Sequence, residues 1–181
     1  MKNITLLLSL LIVTFMSSCQ NKKSSEEESS VIKNVSFTSF KESTLNETFT
    51  TINDKTVNFS EILKTHRGNV TVLYVWASWC PDCIKGFPDL FELQKQFPTV
   101  NFVFLSLDRT KDKWKESIEK YQLVGSHYHI DQKMKDSFGA SIQLDWIPRY
   151  MVLDANNTII LSKAIVADDP ELINTIKSAI E

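Results

Sequence analysis

The chain has 181 residues, 43% of them hydrophobic and 23% charged, which suits one globular domain plus a short extension. Its formal net charge is −2. Nucleic acid as a partner is disfavoured, because that would call for a clustered basic surface.

At the N-terminus, Lys2 precedes an apolar run from Ile4 to Met16. The run is too short for a membrane-spanning helix, which needs about 20 residues. With the small residues Ser17 and Ser18 behind it, it reads as an export signal over residues 1–18. Cys19 follows directly, and the stretch resembles a bacterial lipobox, with Met16 where that motif usually has Leu. Cys19 is therefore the expected lipidation site, and several acyl chains would give stable membrane anchoring. This places the protein in the cell envelope, facing the periplasm or the exterior. Residues 19–36, with the polar run QNKKSSEEESS after Cys19, are expected to be a flexible tether. Residues 37–181 are the expected folded domain.

From Val31 the chain reads as β-like. Phe49 to Phe59 alternates around Asn53-Asp54, which predicts a hairpin, and Ser60 is the expected cap of a short helix through Thr65. Val70 to Trp76 (VTVLYVW) is nearly continuous in apolar residues and predicts a strand buried on both faces. Cys80 to Phe97 reads as a helix with Pro81 in its first turn and a kink at Pro88. Asn101 to Leu107 predicts a second buried strand. Lys111 to Gln122 predicts an amphipathic helix with Trp114, Ile118 and Tyr121 on one stripe. A short strand is expected at His127 to Ile130 and a short helix at Gln132 to Phe138. Arg149 to Leu153 and Thr158 to Ser162 flank Asn156-Asn157 as a hairpin, and Asp169-Pro170 opens a last helix to Ile180. The order predicts an α/β sandwich on a mixed sheet.

The chemistry centres on Trp79-Cys80-Pro81-Asp82-Cys83. Cys80 falls at the junction of a buried strand and a helix, where free N–H groups and the helix dipole favour a thiolate. Cys83 lies one helical turn on and could resolve a mixed disulfide. A zinc site normally needs a second pair of ligands, and beyond Cys19 only His66, His127 and His129 remain. A purely structural disulfide would close a very small loop and stabilise little. A copper site using His127 and His129 with the two cysteines stays open as a non-enzymatic alternative, a metallochaperone-like module. The redox reading is preferred, with no metal and no cofactor beyond the Cys80–Cys83 pair.

Val72 to Pro88 (VLYVWASWCPDCIKGFP) resembles the membrane-anchored thioredoxin-like reductases of the TlpA/ResA type. The resemblance runs from about Phe49 to the C-terminus and includes Asp108, Ile147-Pro148 and Asp154. It implies a thioredoxin-like fold: a mixed central sheet flanked by helices, with an N-terminal hairpin extension. It implies catalysis by Cys80 and Cys83, and a cis peptide bond before Pro148 that faces them. It also implies substrate binding by Ile147 and Pro148, with Trp79 and Pro81 bordering the site. The implied substrates are disulfide-bearing proteins, the implied electron source a membrane thiol donor, and the implied pathway cytochrome c maturation or rescue of oxidised cysteines. Two positions depart from the family pattern. Tyr74 stands where relatives have a buried Asp or Asn, and Gly86 where they usually have Glu. Asp82 beside Cys80 opposes thiolate formation relative to an uncharged dipeptide and favours the reducing direction.

Overall fold

The computed structural model describes residues 37–181. The export signal, Cys19 and the tether lie outside the described residues.

The chain enters through a short helix α1 (Glu42–Leu45), where a β-like stretch was expected, and then the hairpin β1 (Thr48–Thr51) and β2 (Thr56–Asn58). Asp54 takes a positive φ of 59° at the turn, a conformation that Asp tolerates better than most residues. Helix α2 (Phe59–His66) begins two residues earlier than Ser60 as its cap would have placed it. Asn58 is its cap, and its backbone N–H donates to the Glu61 carboxylate at 2.7 Å.

Strand β3 (Thr71–Trp76) is buried at every position, as the continuous apolar run requires. The expected single helix from Cys80 is two: α3 (Pro81–Lys85) and α4 (Phe87–Gln96). Pro88 causes the break. It offers no N–H, and in an unbroken helix its ring would meet the carbonyl of residue 84. It sits instead in the first turn of α4, where neither cost arises. Next come β4 (Asn101–Ser106), α5 (Lys111–Tyr121) and β5 (Ser126–His129). Thr110 caps α5, its hydroxyl accepting from Lys113 N–H, and Trp114 is fully buried.

The helix expected at Gln132 to Phe138 lies further on, as α6 (Ser137–Ser141). Residues 132–136 are held as a loop: Gln132 Oε1 accepts from Phe138 N–H at 2.9 Å, and Asp136 accepts from Lys133 N–H at 2.8 Å. That loop crosses Gly139 so closely that a Cβ there would lie 1.9 Å from the Met134 carbonyl oxygen. The fold closes with β6 (Arg149–Leu153), β7 (Ile159–Ala164) and α7 (Pro170–Ile180), the last capped by Asp169.

The seven strands form one sheet in the order β2-β1-β5-β4-β3-β6-β7. β3, β4 and β5 run parallel; the β1/β2 and β6/β7 hairpins, and their joins to β5 and β3, are antiparallel. This is the mixed sheet that the element order predicts. Phe40, Phe49, Phe59 and Phe138 pack edge to face or tilted, with centroids 5.0–5.7 Å apart, and tie the N-terminal extension to the core.

His127 and His129 lie on an interior strand of the sheet. The hairpin covers β5, which pairs with β1 on one side and β4 on the other. His129 is buried and its Nε2 lies 2.8 Å from the Asp108 carbonyl oxygen. His127 stacks on Phe104, 4.5 Å between centroids, with Nε2 3.1 Å from the Leu123 carbonyl oxygen. Burial pushes the His127 imidazole down to about 4, against its hydrogen bond to Leu123. In the unfolded chain it titrates near 6.5, so the unfolded state binds more protons between those values. Stability should therefore fall as pH is lowered through that window. Urea unfolding at about pH 7.5 and about pH 5 should show the wild type losing roughly 2 kcal/mol more than His127→Gln. Equal losses would show that His127 titrates normally in the fold.

Candidate functional site

The buried strand β3 ends at Trp76, and four residues later the chain turns into α3 with Cys80 as the N-cap. Asp108, buried just beyond β4, holds that turn. One carboxylate oxygen accepts from Ser78 N–H at 2.9 Å and from Ser78 Oγ–H at 2.5 Å. The other accepts from Ser106 Oγ–H at 2.8 Å, and Ser106 Oγ in turn accepts from Asp108 N–H at 3.0 Å.

Cys80 and Cys83 form a disulfide, with Cα atoms 5.3 Å apart. Cys83 N–H donates to Cys80 Sγ at 3.1 Å, so a free N–H of the helix start points at the first sulfur. Cys80 keeps 4% of its surface exposed and Cys83 none, so an incoming sulfur meets Cys80 first. Cys80 Sγ also lies 3.5 Å from the Ile147 carbonyl oxygen. The Ile147–Pro148 peptide is cis, and both residues are buried. Their loop is braced from behind: the buried Arg149 guanidinium reaches the Gln143 carbonyl and ion-pairs with Asp145, which also pairs with Lys163.

The structure thus brings Cys80, Cys83, Ile147 and Pro148 together. Pro81 and Asp82 are exposed at the start of α3. Trp79 is exposed too, with its indole N–H donating to the Leu107 carbonyl at 3.2 Å, so it is not a core residue.

Tyr74 is wholly buried, its hydroxyl donating to the Cys83 carbonyl at 3.4 Å and its ring 4.7 Å from that of Tyr150. Burial raises its pKa far above the ordinary phenol range, outweighing a hydrogen bond from Tyr150 that lowers it. Held protonated, it is no proton acceptor for the Cys83 thiol. Gly86 sits at the break between α3 and α4, where a Cβ would lie 3.3 Å from the Asp82 carbonyl oxygen.

Trp146, which sequence reasoning missed, stands 54% exposed beside the cis bond. Its place directly before Ile147-Pro148 was the available signal. Ile165 and Val166, just past β7, are also exposed near the site, and nothing local in sequence marks them.

The copper alternative finds no ligand set. β4 separates β5 from β3, and among the described residues no three His, Cys, Asp or Glu side chains are grouped to hold a metal ion.

Residues 68–159 match the family model described as thioredoxin-like. The chain belongs to the thioredoxin-like family. It is 34% identical over 59 residues to the chloroplastic thioredoxin-like protein HCF164 of Arabidopsis thaliana, covering 32% of this chain and 22% of that one. It is 36% identical over 64 residues to the thiol:disulfide interchange protein TxlA homolog of Synechocystis, covering 35% and 34%. The chain therefore spans about a third or less of the length of these curated relatives. A solution structure of a Bacteroides vulgatus protein assigned as a thiol-disulfide oxidoreductase superimposes with a TM-score of 0.64 at 28% identity, covering 81% of this chain and 93% of that one. Cys80 and Cys83 are paired at the centre of this thioredoxin-like domain, in the segment that the family model covers.

Replacing Asp108 by Ala would leave the buried Ser106 donor and the half-buried Ser78 donors without this partner, and should cost about 1–3 kcal/mol in urea unfolding of the oxidised protein. An unchanged midpoint would show that the clamp is replaced by water without loss.

Proposed function

We propose that the chain works in the cell envelope as a lipid-anchored reductase of partner-protein disulfides. The observation that carries the chemistry is the disulfide at the β3–α3 junction, with its more accessible sulfur against the cis Ile147–Pro148 loop. Cys80 is the proposed nucleophile. Its thiolate attacks one sulfur of a partner disulfide, and the other sulfur leaves and takes up a proton. Cys83 then gives up its proton and attacks Cys80, releasing the partner's second thiol. Two electrons pass to the partner and the Cys80–Cys83 disulfide remains.

Ile147 and Pro148 are the proposed positioning surface for the partner backbone, with Trp79 and Pro81 at its border. The redox pair itself is the only electron carrier in this scheme, so a membrane thiol donor is proposed to reduce it again. Location and anchoring rest on the sequence: the apolar run, the small residues and Cys19. Among the described residues no helix is long and apolar enough to cross a membrane. Cytochrome c maturation, or general rescue of oxidised cysteines, is the proposed pathway.

Equilibrating the soluble domain with dithiothreitol tests the direction. A Cys80–Cys83 potential near −270 mV, roughly that of thioredoxin, is expected for a reductase. A value near about −120 mV would make the protein an oxidant instead.

A further inference from the structure

Building on the reductase reading, we infer that the groove beside the disulfide receives a cysteine-bearing partner segment whose flanking residues are apolar and cationic. The groove, of about 250 Å³, lies between the α3–α4 break, the cis-proline loop and the end of β7. Trp146, Ile165 and Val166 form its apolar walls, and Pro148 and Tyr150 also line it. Among the described residues seven large hydrophobic side chains are exposed, and three of them, at 54%, 43% and 48%, are these walls. Such clustering marks a surface that is covered in use, since each apolar side chain left in water forgoes its burial energy.

The groove is continuous with the redox centre. Pro148 lines it, and the Ile147 carbonyl lies 3.5 Å from Cys80 Sγ. A partner cysteine engaged by Cys80 therefore carries its neighbours over this surface, at about 3.3 Å per residue of extended chain.

Charge then selects among partners. Asp82 and Asp89 stand on the rim, and Asp168 is next to Ala167 in the lining, with Lys85 the one opposing cation there. All three carboxylates are exposed, and none is ion-paired among the described residues. Burial first, then Tyr74 and the charges of Asp89 and Asp168, push the Tyr150 hydroxyl up. A Lys or Arg near the partner cysteine gains from this field, and a Glu or Asp loses.

The test uses single turnovers of the reduced protein followed by intrinsic fluorescence. Two peptides each carry one cysteine as its mixed disulfide with 2-mercaptoethanol, and differ only in Lys or Glu beside an aromatic neighbour. Neutral hydroxyethyl disulfide serves as the third substrate. The Lys peptide should react about tenfold faster than the Glu peptide at low ionic strength, the ratio shrinking with added salt. Combining Asp89→Asn and Asp168→Asn should cut that ratio to about threefold or less, separating the local rim from the net charge of the chain. Trp146→Ser should slow both peptides alike and leave the ratio standing. Equal peptide rates, with hydroxyethyl disulfide still reduced, would overturn this partner class and leave the reductase reading intact. A monomer–dimer equilibrium abolished by Trp146→Ser would assign the groove to a second copy of the chain and likewise overturn it. Failure to reduce hydroxyethyl disulfide at all would remove the reductase reading, and this inference with it.

Discussion

A short turn between Trp76 and Cys80 decides what this molecule can do, and the buried carboxylate of Asp108 holds it. That carboxylate gathers the backbone and hydroxyl donors of Ser78 and the hydroxyl of Ser106. Its own carbonyl lies against His129, so the clamp reaches across β4 to β5. Because β3 is buried along its whole length, it cannot slip, and the turn delivers Cys80 to one fixed place. The start of α3 supplies the N–H that meets its sulfur. The cis-proline loop, braced by Arg149 and Asp145, supplies the opposing wall. Two stretches distant in sequence thus meet at one pair of sulfurs, and a third, around Asp108, holds the turn.

Much of this was legible in the sequence because the signals were local or periodic. A continuous apolar run can only be a buried strand or helix segment, and VTVLYVW was too short and too β-branched for the latter. Proline at the start of α3 and Asp169-Pro170 at the start of α7 marked helix openings. The features that were missed depend on contacts distant in sequence or on competition between neighbours. Asn58 outcompeted Ser60 as a cap because Glu61 could answer its N–H. Residues 132–136 lost their helix to side-chain bonds from Gln132 and Asp136 and to the bare face of Gly139. Pro88 was expected to kink a helix, and the break falls just before it at Gly86, whose backbone stays helical between α3 and α4. The interior position of β5 in the sheet followed from the N-terminal hairpin pairing with it, which no local pattern around His127 reveals.

The candidate site divides in the same way. The cysteines and Ile147-Pro148 announced themselves by motif. Trp146, Ile165 and Val166 did not, since exposed apolar residues have meaning only once the fold gathers them. Tyr74 was visible as a departure, and the structure gives it a role in packing: it joins Tyr150 beneath the redox pair and bonds the Cys83 carbonyl. With no acid at that position, the proposed release of the Cys83 proton calls on water or another group.

The proposed division of labour between the two sulfurs is open to one direct measurement: the pH dependence of alkylation of the reduced domain by iodoacetamide, with the modified residue read by mass spectrometry. The account predicts modification at Cys80 with Cys83 protected, and a rate midpoint below the free-thiol value of about 8.5. Equal labelling of both cysteines with a midpoint at or above about 8.5 would contradict it, because neither the helix start nor the difference in burial would then be selecting the nucleophile.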